Sequence, residues 1–171
     1  ISPIRFASWM GGDRDGNPNV THNITQEVLW LSRWKATDLY VHDIEDLRWE
    51  LSIEACSNEL VQALGYQHPE PYREYLRATR ERLKATRQWL TDKLRGLHSE
   101  VDRSLIIRHK DELLQPLLLC YRSLMACNLP EIANGKLLDF IYRVNCFGIE
   151  LLKLDIRQES GRHRQAISAI T

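Results

Sequence analysis

The sequence predicts a mainly α-helical chain with two short β-strands near its ends. Helical periodicity and capping residues fill residues 23–147. Only residues 4–9 and 151–157 alternate with the period of two expected of strands. Each alternating segment runs straight into a loop of special composition. Two strands cannot make a self-sufficient sheet. The second carries Lys153, Asp155 and Arg157 on one face, charges that need partners wherever they are buried. The interior of a parallel β-barrel supplies that setting, with active sites at the C-terminal ends of its strands. The expected architecture is therefore a fragment of a large TIM-like β/α barrel with long helical insertions, holding two consecutive strands.

The elements follow in order. In strand 4–9, Ile4, Phe6 and Ser8 face one way and Arg5, Ala7 and Trp9 the other. A glycine-rich loop covers 10–22. Asn23 with Gln26 resembles a capping box. The long helix after it places Val28, Leu31, Trp34, Leu39, Ile44, Leu47 and Leu51 near one stripe. Ser57 caps a short helix ending at Gly65. Pro71 opens a basic helix that stops at Gly96. Residues 97–109 lack apolar periodicity and read as a polar loop. Helices follow at 111–127, with Pro116 near the start, and at 134–145; Asn128–Pro130 separates them and Phe147-Gly148 makes the turn out. Strand 151–157 and a helix over 159–171 close the chain. There is no internal repeat.

The 23 basic and 23 acidic residues balance, which gives no support for nucleic-acid binding or a polybasic membrane surface. No apolar run approaches a membrane span and no signal peptide is visible. The first residue is Ile, so the chain reads as processed or cut from something longer. Cys56, Cys120, Cys127 and Cys146 form no C-x-x-C pair. Cys120 and Cys127 would share a helix face ~10 Å apart, too far for a disulfide. Buried reduced thiols in a cytosolic protein are expected.

The stretch Phe6–Thr21 carries the most information. It packs three glycines, a proline, two aspartates and an arginine behind a short apolar run. Ordering such a loop is entropically costly, and such loops bring backbone close to something or hold side chains in a special geometry. Asp13–Asn17 does not fit a calcium loop, since the glycine falls at position four and Ile24 at position twelve. Gly11, Gly12 and Gly16 do not make a phosphate-binding Walker loop, because no Lys-Ser/Thr pair follows. Asp13, Arg14, Asp15 and Asn17 read either as braces that shape the loop or as ligand contacts. Trp9 reads as core or as a hydrophobic wall beside a site. Arg157 offers a planar fork of donors for phosphate or carboxylate, or else an internal ion pair with Asp155 or a barrel neighbour. Arg162, His163 and Arg164 sit at a helix start, where cations oppose the dipole. The histidine spacing supports no zinc site and no metal ligands are expected in the chain. The basic helix reads as a solvated face, or as an anion site for a phosphorylated regulator with Arg87 as one candidate.

At Ser8–Val20, at Leu154–Ser160 and at Arg162-His163 the chain resembles the phosphoenolpyruvate carboxylase family. Leu31–Asp38, Glu70–Arg73 and Val144–Gly148 look like the bacterial enzymes too. The resemblance implies carboxylation of phosphoenolpyruvate with bicarbonate to oxaloacetate and phosphate, an anaplerotic, allosterically controlled carbon dioxide fixation by a cytoplasmic enzyme using Mg²⁺ or Mn²⁺. It implies that Arg157 contacts the phosphoryl group, that Trp9 walls the pocket, and that Gly11 and Gly12 allow close approach. It also implies that the catalytic histidine, the lysine and the metal carboxylates lie outside this fragment, which is then inactive alone. Its partner is the remainder of the same chain, in a homotetramer. The competing reading is a stand-alone helical regulatory module whose recognition face is the basic helix 71–95.

Overall fold

The computed structural model describes residues 6–170. Strand β1 (Ala7–Ser8) leads through the glycine loop to helix α1 (His22–Glu50). Helices α2 (Asn58–Leu64), α3 (Pro71–Leu94) and α4 (Asp111–Ala126) follow. A short turn α5 (Pro130–Ile132), a π-turn over Ala133–Leu137 and helix α6 (Leu138–Phe147) then return the chain to strand β2 (Lys153–Leu154) and helix α7 (Ser160–Ile170). Both strands are shorter than expected. Ile4, Arg5 and Thr171, included in the expected strand and final helix, lie outside the described residues.

Strands β1 and β2 pair in parallel, Ala7 opposite Lys153 and Ser8 opposite Leu154. A parallel pair needs a long crossover, and here the whole helical excursion is that crossover. Its core is a helical layer. Helix α3 buries Tyr72, Leu76, Thr79, Leu83, Thr86 and Leu90, alternate steps of four and three that describe a seam of coiled-coil type. The facing stripe of α1 is Ala36, Tyr40, Val41, Ile44 and Leu47, continued by Leu51. Leu31 and Leu39, expected on that stripe, are exposed. Leu39 sits about 100° around the helix from the adjacent buried Tyr40, and Leu31 lies roughly opposite the centre of the buried stripe. From α4, Leu113, Leu117, Cys120 and Leu124 complete the core, with Phe140, Ile141 and Val144 from α6. Of the thiols expected to be buried, Cys120 is, Cys56 and Cys127 are half-buried and Cys146 is exposed; burial pushes the Cys120 thiol up.

Three boundaries differ from the sequence reading. Thr21, not Asn23, caps α1: its backbone is extended and its Oγ1 accepts from the Ile24 N–H at 3.4 Å. The helix expected over 134–145 begins at Pro130 and reaches Phe147, passing through the π-turn where Gly135 leaves helical geometry (φ −83°, ψ −136°). Pro116 lies inside α4, in its second turn, near the start as expected. Residues 97–109 are not simply a polar loop. They contain a 3₁₀ turn (Arg103–Leu105), and Ile106 and Ile107 are buried. The Ile107 N–H donates to Thr86 Oγ1 at 2.9 Å, and Arg33 donates to the Ile107 carbonyl.

Glu112 fastens this segment. One carboxylate oxygen accepts from the backbone N–H groups of Arg108 (2.9 Å) and His109 (2.8 Å), and the other accepts from the Arg82 guanidinium of α3. Burial favours the neutral acid, but these donors outweigh it and hold the carboxyl down at about 2, against an ordinary value of 4.5. A depressed carboxyl stabilises the fold fully above its ordinary range, and that contribution is lost as pH falls towards 2. Glu112→Gln accordingly speeds amide exchange at Ile107, Arg108 and His109 by about tenfold or more at neutral pH. Exchange unchanged from wild type would show that the segment is held by Ile106 and Ile107 alone.

Candidate functional site

The site is built where the two strands end. Beyond Ser8 and Leu154 the strands separate and then rejoin at a parallel bridge between Asp13 and Arg157. The first strand takes five steps between these pairings and the second takes three. The surplus is folded into a turn in which the N–H groups of Gly12 (2.8 Å) and Asp13 (3.0 Å) both donate to the Trp9 carbonyl. Such a bulge re-aims side chains at a sheet's end, and here Trp9 and Met10 are turned out to the surface. The rejoined backbone is tight. Arg157 N–H donates to the Gly12 carbonyl at 2.9 Å, and Arg14 N–H donates to the Arg157 carbonyl at 3.0 Å.

This geometry explains two of the three loop glycines. Gly11 adopts φ +77°, and a Cβ there would meet Val28 Cγ2 at 2.6 Å. A Cβ on Gly12 would lie 2.2 Å from the Asp155 carbonyl oxygen. The close approach expected at these positions is thus made to the chain's own α1 and β2. Gly16 (φ +67°) stands in open space and serves the backbone conformation alone.

Trp9 and Arg157, about 150 positions apart in the sequence, meet: the Arg157 guanidinium lies over the indole, 5.4 Å from the ring centroid. Among the described residues Arg157 forms no salt bridge, so the internal pair with Asp155 is not made. The cation is exposed, held by an aromatic face and free towards solvent. Trp9 is 61% exposed, which corrects its reading as core.

The other loop residues stitch the turn. Asp13 Oδ1 accepts from the Asp15 N–H at 3.3 Å, and Asn17 Oδ1 accepts from the Asn19 N–H at 3.0 Å. Arg14 reaches α1, its Nη2 donating to Thr25 Oγ1 at 2.8 Å. Thr25 Oγ1 in turn donates to the Gly11 carbonyl at 2.7 Å. Sequence reasoning passed over Thr25. Its signal is a threonine four residues after the helix cap, where an amphipathic helix would bury something apolar.

Arg87 is placed elsewhere. It spans α3 and α1 to pair with Asp38 at 3.2 Å, and Asp38 also receives Lys35 at 3.3 Å. Most of the other cations of the basic helix are similarly engaged. Arg80 and Lys84 meet Glu45 of α1, Arg82 meets Glu112 of α4, and Arg73 and Arg77 pair with Glu70 and Glu74. The face read as solvated, or else as an anion site, is therefore largely paired with the chain's own carboxylates. Arg162, His163 and Arg164 are exposed on α7. Among the described residues, no three His, Cys, Asp or Glu side chains are grouped to hold a metal ion. No helix among them is long and apolar enough to cross a membrane.

The sequence matches the family model for phosphoenolpyruvate carboxylase over residues 1–171. It is 85% identical over 171 residues to the phosphoenolpyruvate carboxylase of Acinetobacter baylyi, covering all of this chain and 19% of that protein. Against the enzyme of Acinetobacter baumannii the identity is 81% with the same coverage. Against that of an Escherichia coli O81 strain it is 50% over 172 residues, again 19% of the relative. The chain thus spans about a fifth of the length of the curated relatives it matches. With the match running through the bulged loop and the Arg157 strand alike, the chain belongs to the phosphoenolpyruvate carboxylase family.

Proposed function

We propose that this chain supplies one rim of the substrate site of a phosphoenolpyruvate carboxylase, with Arg157 as a contact to the phosphoryl group and Trp9 as the adjacent wall. The observation that carries the reading is the exposed Arg157 guanidinium stacked on Trp9 at the C-terminal ends of two parallel strands. The reaction joins phosphoenolpyruvate and bicarbonate to give oxaloacetate and phosphate. Transfer of a phosphoryl group places spreading negative charge on its oxygens, and a preorganised guanidinium stabilises it in a site shielded from water. The enolate and carbon dioxide formed on the way need a dry, weakly polar surface. An indole whose face already carries a cation offers both beside one another. The bulge of residues 9–12 fixes this pairing; Asp13, Arg14, Asp15 and Asn17 shape it rather than move protons.

The divalent metal that the family implies, magnesium or manganese, has no donor set among the described residues. Its ligands are assigned to the rest of the full-length chain, as are the proton-transferring groups. The larger architecture follows the same logic. Parallel sheets are normally covered on both faces, whereas Phe6 and Ile156, flanking β1 and β2, stand exposed. A β/α barrel completed by further strands of the full-length enzyme covers them. Tetramer formation, allosteric control and a cytoplasmic location come with the family reading and rest on no residue of this chain. The helical module reading loses its main support because the basic helix is paired internally.

The test is oxaloacetate formation from phosphoenolpyruvate and bicarbonate. A full-length protein containing this segment is expected to catalyse it, and the 171-residue chain alone is expected to be silent. Turnover by the isolated chain would contradict the assignment of the missing groups to other segments.

A further inference from the structure

We infer that Thr25 is a positioning residue, whose single hydroxyl sets the pose of the Trp9–Arg157 platform from the first turns of α1. The inference rests on the assignment of that platform to the substrate site. Thr25 is only 5% exposed, and its side chain is shared between two loop residues. Its Oγ1 donates to the Gly11 carbonyl at 2.7 Å and accepts from Arg14 Nη2 at 2.8 Å, with the Thr21 carbonyl of its own helix at 3.2 Å.

Gly11 and Arg14 bracket the loop residues that grip Arg157. Between them, the Gly12 carbonyl receives the Arg157 N–H, while the Arg14 N–H reaches the Arg157 carbonyl. One hydroxyl therefore pins both ends of the segment that holds the Arg157 backbone against the turn bearing Trp9. Among the described residues no other hydrogen bond joins the first turns of α1 to residues 9–14; Val28 offers only apolar packing beside Gly11. Arg14 makes the dependence sharper. Its Nε is buried and has no hydrogen-bond partner among the described residues, and the guanidinium as a whole is half-buried, so the Thr25 contact carries side-chain hydrogen bonding that solvent only partly replaces. Deleting the hydroxyl leaves the Gly11 carbonyl and the Arg14 guanidinium both short of a partner and releases the loop from α1.

The test uses the full-length enzyme and compares Thr25→Val, which keeps the shape and removes the hydroxyl, with Thr25→Ser, which keeps the hydroxyl. A misplaced binding platform weakens substrate capture, so Thr25→Val raises KM for phosphoenolpyruvate by about tenfold and changes kcat by less than about threefold. Thr25→Ser restores KM to within about twofold of wild type. A residue needed only for folding would instead reduce the active fraction, lowering kcat at constant KM. If Thr25→Val proves insoluble, Thr25→Ala is read in the same way. Unchanged KM in the hydroxyl-free variant, a loss confined to kcat, or equal impairment of the serine and valine variants overturns the inference. Arg157→Ala measured alongside separates the two levels. If it too leaves kcat and KM unchanged, the site assignment fails; if it is impaired while Thr25→Val is not, only the role of Thr25 fails.

Discussion

Replacing Arg157 by alanine in the full-length enzyme lowers kcat/KM for phosphoenolpyruvate by about a hundred- to a thousandfold. That is the range for removing one preorganised donor from developing charge, on the order of 3–4 kcal/mol of transition-state stabilisation. The loss is expected to be chemical rather than structural. What Arg157 contributes to the fold is its backbone, through the N–H to Gly12 and the carbonyl to Arg14, and alanine retains both. Its side chain touches Trp9 and forms no salt bridge among the described residues, so no buried carboxylate is orphaned by the change. Lysine restores charge but neither the planar fork nor the stacking, so Arg157→Lys recovers only part of the activity. Steady-state kinetics with a thermal melt checks both points. Wild-type kcat/KM in Arg157→Ala would mean that the guanidinium merely covers the indole.

The second large effect falls on Gly12. A methyl group there lies 2.2 Å from the Asp155 carbonyl oxygen, a backbone atom that cannot swing aside. Relief requires the loop and β2 to part, breaking the hydrogen bond from Arg157 to the Gly12 carbonyl. Overpacking of this kind costs about 1–3 kcal/mol or more, and here the cost lands on the two strands that set the platform. Gly12→Ala is therefore expected to lose about a hundredfold in kcat/KM together with a lowered Tm. Gly16→Ala is the control. It carries a positive φ but open surroundings, so it bears a strain of only about 1 kcal/mol or somewhat more. Equal losses in the two variants would show that loop conformation matters and close approach to β2 does not.

How far the residues alone led can be judged from particular positions. The two alternating segments, the Ser57 and Gly65 ends of α2 and the Pro71 start of α3 are local signals, each written in a few neighbouring residues. The meeting of Trp9 with Arg157 was expected because both sit at strand ends with the same polarity, and parallel pairing delivers it. What stayed hidden depends on partners far along the chain. The bulge at residues 9–12 is visible only once both pairings on β2 are known. Ile106 and Ile107 are two apolar residues in a polar stretch, and only the presence of α3 and Arg33 beside them makes them core. The ion pairing of the basic helix was not legible because its carboxylate partners, Asp38, Glu45 and Glu112, lie on other helices. Thr25 looked like an ordinary helical threonine until the loop folded back onto it.

The most direct measurement is a crystal structure of the full-length enzyme with a non-reactive phosphoenolpyruvate analogue, read at Arg157. The account predicts guanidinium nitrogens within about 3 Å of the analogue's phosphate oxygens, with Trp9 lining the same mouth. A phosphate bound elsewhere, with Arg157 left resting on the indole and facing solvent, would contradict it.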